Sequence, residues 1–130
     1  MTTAIFIPTF GRADQISRVY ENCLGSTQEP IKIYFILEQK DILSIAVCDM
    51  LKYDYIINTG APKYSACINT AFKQTSEPLF FCAADDLDFQ KDWLKIAKSK
   101  LSDQIQVVGT NDLLNGFVLL GIHATHFLVK

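Results

Sequence analysis

The feature that most constrains this chain is an alternation. Short runs of apolar, β-branched and aromatic residues are each followed by a stretch whose apolar residues recur at helical spacing. Residues 4–8 form the first run, a predicted buried strand. Residues 13–24 follow as a helix with Ile16, Val19, Tyr20 and Cys23 on one face and Gly25 as its end. Residues 31–37 are a second strand, after which Asp41 can cap a helix whose apolar positions are Ile42, Ile45, Ala46 and Met50. A third strand at 55–57 is closed by Asn58-Thr59-Gly60 and precedes a helix at 65–74, with Ala66, Ile68, Ala71 and Phe72 available for packing. A fourth strand is expected at 79–83, a helix at 92–101 with Trp93, Ile96, Ala97 and Leu101 on one stripe, and a fifth strand at 106–109. Two more candidate strands, 117–120 and 125–129, have no helix between them and are expected to be antiparallel or to form a separate ribbon.

Strands that are apolar on both faces need cover on both faces, and intervening helices supply it. The expected class is therefore α/β, with a mostly parallel central sheet flanked by helices. No repeat, low-complexity tract or Pro/Gly-rich linker divides the chain, so residues 1–130 are read as one domain. With 49% hydrophobic residues a packed core is expected. In open sheets of this class, ligands bind beyond the carboxyl ends of the strands, so the loops after each strand are where chemistry is sought.

Charge and cysteine usage narrow the function classes. Twelve basic and 14 acidic residues give a net charge of −2, which argues against a protein that grips duplex nucleic acid over a wide basic face. Cys23, Cys48, Cys67 and Cys82 are widely spaced in apolar segments without a C-x-x-C pair, unlike a zinc site or a disulfide framework. They read as reduced, buried thiols of a cytoplasmic protein. No apolar run is long enough to cross a bilayer, and the start of the chain lacks signal-peptide features, so no stable membrane insertion is expected.

The strongest local signal is Ala83-Ala84-Asp85-Asp86-Leu87-Asp88, directly after the fourth strand. Three carboxylates within four residues repel one another, and a hard divalent cation such as Mg2+ or Mn2+ relieves that repulsion while bridging to a diphosphate. The competing reading is an acidic turn in which one Asp caps a helical turn. Pro8-Thr9-Phe10-Gly11-Arg12 follows the first strand: Gly11 permits a tight turn and Arg12 can meet a phosphate. It is neither G-x-G-x-x-G nor a P-loop. Glu38 can accept hydrogen bonds from a ribose or a base, or is simply a solvated loop acid. Lys63, ahead of the third helix, can offset phosphate charge, and Asn69 can satisfy backbone groups. Asp112, in Gly109-Thr110-Asn111-Asp112, is a base or a turn cap. His123 and His126 fall on opposite faces of an extended strand and so do not share a metal.

These segments, in this order, resemble the family 2 glycosyltransferases of the Rossmann-like GT-A fold. The resemblance is carried by Ile5-Phe6-Ile7-Pro8-Thr9-Phe10-Gly11-Arg12, by Glu38, by Tyr64-Ser65-Ala66-Cys67-Ile68-Asn69, and by Ala84-Asp85-Asp86 with Asp92-Trp93-Leu94. Aligned on Asp92-Trp93-Leu94, the first acid of the D-x-D motif falls on Ala84, and Asp86 takes the place of the metal-binding acid. A shifted alignment makes Asp86-Leu87-Asp88 the motif and Asp88 the second-choice ligand. Ala84-Asp85-Asp86-Leu87 with Trp93, Gly109-Thr110-Asn111-Asp112-Leu113 and Ala124-Thr125-His126 is more narrowly similar to small glycosyltransferase-like proteins of bacteriophages. The family domain continues past the position matched by Lys130, and the later part usually supplies the catalytic base.

The resemblance implies a metal-dependent, inverting transfer of a sugar from a nucleotide-diphosphate sugar, with a UDP-sugar favoured, to an acceptor hydroxyl. In phages such an acceptor can be a modified DNA base, and the location would be the host cytoplasm. Pro8, Thr9 and Glu38 would hold the nucleoside, Arg12 and Lys63 would assist, and Asp85 would sit near the ribose or diphosphate. Asp86 would bind Mn2+ or Mg2+, and Asp112 is the base candidate. Two rivals stand beside this reading: a nucleotide-binding module without turnover, and a nucleotidyltransferase. Against the latter, the first loop is not glycine-rich and basic.

Overall fold

The computed structural model describes residues 1–110 and 125–130. Ten elements alternate along them: β1 (Thr3–Thr9), α1 (Ala13–Gly25), β2 (Ile31–Leu37), α2 (Ile42–Leu51), β3 (Tyr55–Ile57), α3 (Tyr64–Gln74), β4 (Leu79–Cys82), α4 (Trp93–Lys98), β5 (Val107–Gly109) and β6 (Phe127–Val129). They build a six-stranded sheet in the order β3-β2-β1-β4-β6-β5. The first four are parallel neighbours, and β6 runs antiparallel between β4 and β5. The expected 117–120 strand lies outside the described residues.

Side-chain alternation explains the layers. On β1, Ile5 and Ile7 point to one face and Ala4 and Phe6 to the other, and all four are fully buried. Ile5 and Ile7 join Phe35, Leu37, Leu79 and Phe81 in the larger core, which Ile16, Val19 and Cys23 of α1, Cys48 of α2, and Leu94 and Ala97 of α4 close. Ala4 and Phe6 join Ile36 and Ile56 in a smaller core beneath Cys67 and Ala71 of α3. Helices α1, α2 and α4 therefore cover one face of the sheet and α3 the other.

All four cysteines are free and buried. Burial pushes the Cys23 and Cys48 thiols up to about 12 and Cys82 to about 11. These three stay protonated and unreactive at neutral pH.

Three helices differ in detail from the sequence expectation. In α2, Ile45 packs against the larger core as expected, but the fully buried residues are Ser44 and Cys48, whereas Ile42 and Met50 are each 73% exposed and Ala46 faces out as well. Spacing alone identifies a face but not which way it turns. In α3, Cys67, Thr70 and Ala71 are buried, and Phe72 lies mostly exposed against the Phe80 ring. Helix α4 begins only at Trp93, because Asp92 adopts a left-handed backbone (φ 61°) and its N–H is taken by the Ser26 carbonyl at 2.8 Å. Its buried residues are Leu94 and Ala97, with Ile96 exposed.

Phe35→Ala is expected to cost about 3–5 kcal/mol, since it empties a fully buried ring site that stacks against Tyr20 and Tyr53. Met50→Ala should stay within about 0.5 kcal/mol. Urea unfolding of both variants checks the contrast.

Candidate functional site

Strand order places the site. The chain runs from β1 outward through β2 to β3, then returns to add β4 on the other side of β1. Between β1 and β4 the two directions diverge, and their carboxyl ends leave a crevice there. Pairing extends one residue past β4, where the Ala83 N–H donates to the Phe6 carbonyl at 2.9 Å. Beyond that point β1 continues beside β2 as far as Thr9 and turns through Phe10 to Arg12, while Ala83 to Asp88 leave on the other side.

Asp85 bridges the two loops. It is buried, and its Oδ1 lies 3.3 Å from an Arg12 guanidinium nitrogen. Burial raises its pKa above the usual carboxylate value, Arg12 pulls it down and Asp86 pushes it up, and the net direction is upward. Arg12 is about half exposed, so solvent screens its attraction, which is why desolvation wins. Asp86, next in line, is exposed.

Several contacts hold the acidic loop. Arg18 on α1 donates to the Asp85 carbonyl at 2.9 Å and to the Leu87 carbonyl at 3.2 Å. Asn22, one turn further along α1, accepts the Phe89 N–H at 2.6 Å and donates to Asp88 Oδ1 at 3.1 Å. Asp88 thus serves α1, whereas Asp86 is exposed and has no hydrogen-bond or ion-pair partner among the described residues. Tyr64, the first residue of α3, donates its hydroxyl to the Ala83 carbonyl at 2.8 Å. Burial drives the Tyr64 phenol upward, so it remains a donor at neutral pH.

The first loop is fixed from the other side. Gly11 takes a left-handed backbone (φ 66°), the conformation glycine allows without a Cβ penalty. Its N–H donates to Asp41 Oδ2 at 2.8 Å, and the same carboxylate receives the Ser44 hydroxyl at 2.6 Å and the Ser44 N–H at 3.4 Å as cap of α2. Burial alone would raise the Asp41 pKa, but these hydrogen bonds outweigh it and hold the carboxyl below its ordinary value. At the end of β2, Glu38 accepts from the Asn58 side chain at 2.8 Å. Asn58 also donates to the Ala61 carbonyl at 2.8 Å and accepts the Thr70 hydroxyl at 3.0 Å.

Pro8, Thr9, Arg12, Glu38, Asp85 and Asp86 accordingly sit on loops or strand ends along one edge of the sheet. Lys63 is exposed just before Tyr64. Asp112 and His123 lie outside the described residues. His126 contacts the Cys82 carbonyl through Nδ1 at 3.1 Å. The sequence reading missed Arg18, Asn22 and Asn58, because their value lies in partners 20 to 69 residues away. It treated Asp41 only as a helix cap. Among the described residues no three His, Cys, Asp or Glu side chains converge on a metal site.

A second concavity, of about 300 Å3, lies at the opposite edge of the sheet, lined by Met1, Pro30, Leu79, Lys98 and Lys130 among others. It is at the amino ends of the parallel strands, away from the loops described above, and carries no comparable set of acids.

Asp85→Asn should show what burial of this carboxylate costs. Its pKa is higher folded than unfolded, so folding takes up a proton between the two values and stability falls as pH rises through that window. The variant is expected to lose this fall and to unfold at no lower a temperature than the parent at neutral pH. Thermal unfolding of both proteins from acid to neutral pH provides the comparison.

No protein-family model and no curated protein sequence matches this chain. Solved structures do. A mannosyltransferase from Pyrobaculum calidifontis, determined in complex with GDP-Man and Mn2+, superposes over 98% of the chain with a TM-score of 0.77 and 13% identity. Mannosyl-3-phosphoglycerate synthase from Rubrobacter xylanophilus superposes over 100% of the chain with a TM-score of 0.68 and 11% identity. The chain spans about half of each, 44% and 53% of their lengths. The described residues have the Rossmann-like GT-A fold: a mostly parallel six-stranded sheet flanked by helices, shared with these glycosyltransferases.

Proposed function

We propose that this chain carries the donor site of a glycosyltransferase and binds a nucleotide-diphosphate sugar at the crevice between β1 and β4. The observation that carries the reading is the Arg12–Asp85 bridge across the switch point, with Asp86 exposed beside it. It is supported by a fold shared along nearly the whole chain with two sugar transferases, one of them bound to GDP-Man and Mn2+.

In this reading the β1 end, Pro8 and Thr9, and the β2 end, Glu38, receive the nucleoside. Asn58 keeps the Glu38 carboxylate oriented by its 2.8 Å hydrogen bond. Asp85 accepts from the ribose, with Arg12 and Lys63 supplying positive charge toward the diphosphate. Asp86 is the residue that would hold Mn2+ or Mg2+. A bound divalent ion supplies charge against the departing diphosphate. The rigid loop, tied to α1 through Arg18 and Asn22, keeps Asp85 and Asp86 in place without reorganisation.

Inversion at the sugar carbon, a carboxylate base such as Asp112, a uridine donor and a modified DNA base as acceptor belong to the family resemblance. So does a host-cytoplasm location. Among the described residues no helix is long and apolar enough to cross a membrane. Because the chain matches only about half of each solved transferase, a second reading is a donor-binding module whose turnover depends on residues outside it.

Calorimetric titration with GDP and with UDP, in Mn2+ and then with chelator, tests the proposal. Binding should require the metal, and Asp86→Ala should weaken it by about tenfold or more. Equal binding by the variant would remove Asp86 from the site. No binding of either nucleotide by the folded protein would end the donor-site reading. Transfer of sugar by this chain alone to any acceptor hydroxyl would exclude the module reading.

A further inference from the structure

The carboxylate at the mouth of the crevice is covered. The Asp85 side chain is only 9% exposed, and its Oδ1 faces an Arg12 guanidinium nitrogen at 3.3 Å. A ligand hydroxyl cannot donate to an oxygen that is both buried and shielded. Either Asp85 takes no part in binding, or Arg12 leaves it when a ligand arrives.

The two arginines of the chain differ in how firmly they are held. Arg18 is locked in place: it donates to the Asp85 and Leu87 carbonyls at 2.9 and 3.2 Å, and its Nε donates to Gln15 at 3.1 Å. Moving it would leave those carbonyls without their partner. Arg12 makes one ionic contact, a single nitrogen against a single oxygen, and its side chain is 47% exposed. Solvent weakens such a pair, so little is lost when it parts. The backbone beneath it is fixed, because the Gly11 N–H is tied to Asp41 and the Arg12 carbonyl accepts the Gln15 N–H at 2.9 Å. The side chain alone can swing, on its methylene stem.

A phosphate gives that side chain a better partner. A guanidinium meets two phosphate oxygens at once through parallel N–H bonds, whereas Asp85 presents it with one oxygen. The exposed acids Asp14 and Asp86 nearby oppose any free anion. Only a ligand that also satisfies the uncovered Asp85 gains fully from the exchange.

We propose that Arg12 is an exchangeable cover on the donor site. Before a ligand arrives its guanidinium shields Asp85; the diphosphate of a nucleoside diphosphate draws it away, and the uncovered carboxylate accepts from the ribose hydroxyls. The inference rests on the donor-site reading above. It adds that the phosphate end of the ligand opens the pocket for the ribose end, so a nucleoside without phosphates meets a closed site.

Calorimetric titration of the intact chain tests this, with GDP, UDP, guanosine, uridine and inorganic pyrophosphate as probes and Mg2+ present throughout. The parent should bind a nucleoside diphosphate, and the matching nucleoside at least about tenfold more weakly. Arg12→Gln should weaken the diphosphate by about tenfold and tighten the nucleoside by about threefold. Asp85→Asn frees Arg12 without removing it. It should tighten pyrophosphate by about threefold more than it does in an Arg12→Gln background, where only the general loss of negative charge acts. Circular dichroism checks that each variant is folded. The inference is overturned if Arg12→Gln tightens the diphosphate or leaves the nucleoside unchanged, or if Asp85→Asn acts equally with and without Arg12. In each of those cases GDP or UDP binding by the parent leaves the donor-site reading standing. Failure of the parent to bind either nucleotide would end both.

Discussion

Burial of β1 on both faces is the constraint from which the rest of this structure follows. Ala4, Ile5, Phe6 and Ile7 leave neither face of the strand for water, so each face must be roofed by helices. A strand roofed on both sides takes neighbours on both edges, β2 on one and β4 on the other. Since β2 follows β1 directly and β4 arrives after β3, the chain reverses its order across β1. The crevice is a consequence of that reversal. Covering a strand and making a ligand site are, in this fold, a single topological event.

What occupies the crevice edge is a carboxylate kept where water is scarce. Burial raises the Asp85 pKa against the pull of an Arg12 that is itself half in solvent. Asp41 experiences the same desolvation and goes the other way, because three hydrogen bonds converge on it. The difference separates a structural acid from one held in reserve. Asp41 is saturated by its own chain and fixes the Gly11 turn. Asp85 has one screened cation, so its charged form still gains from a further donor.

Much of the framework is legible in the sequence because it rests on local pattern. The bounds expected for the second and third strands, 31–37 and 55–57, are those of β2 and β3. The inward face of α1 is the expected one, with Ile16, Val19 and Cys23 buried. The strand-end loops are likewise visible as departures from periodicity. What the sequence hides are pairings across the chain: Gly11 with Asp41 over 30 residues, Arg18 with the Asp85 carbonyl over 67, Asn58 with Glu38 over 20. No residue type predicts them, since each of these side chains has an adequate solvated alternative. The left-handed Asp92 that shortens α4 is hidden for a related reason, because it answers to a carbonyl at Ser26.

Helix α2 shows where pattern reading reaches its limit and physical reasoning begins. Ile42, Ile45, Ala46 and Met50 share the spacing of a core face, and on composition they should point inward. The fold turns Ser44 and Cys48 inward instead, because Asp41 must cap the helix and reach Gly11 at once. That double duty fixes the rotation of the helix about its axis. Ser44 is drawn under Asp41 by two hydrogen bonds, and Cys48, one turn on, follows it into the core. With the rotation set by a polar cap, Ile42, Ala46 and Met50 face out, while Ile45 at the edge of the stripe still packs against the core. The loop that carries Thr9 and Arg12 and the exposed face of α2 are therefore positioned by one carboxylate. Losing Asp41 would release both surfaces together, whereas changes confined to Ile42 or Met50 would leave the crevice loop where it is.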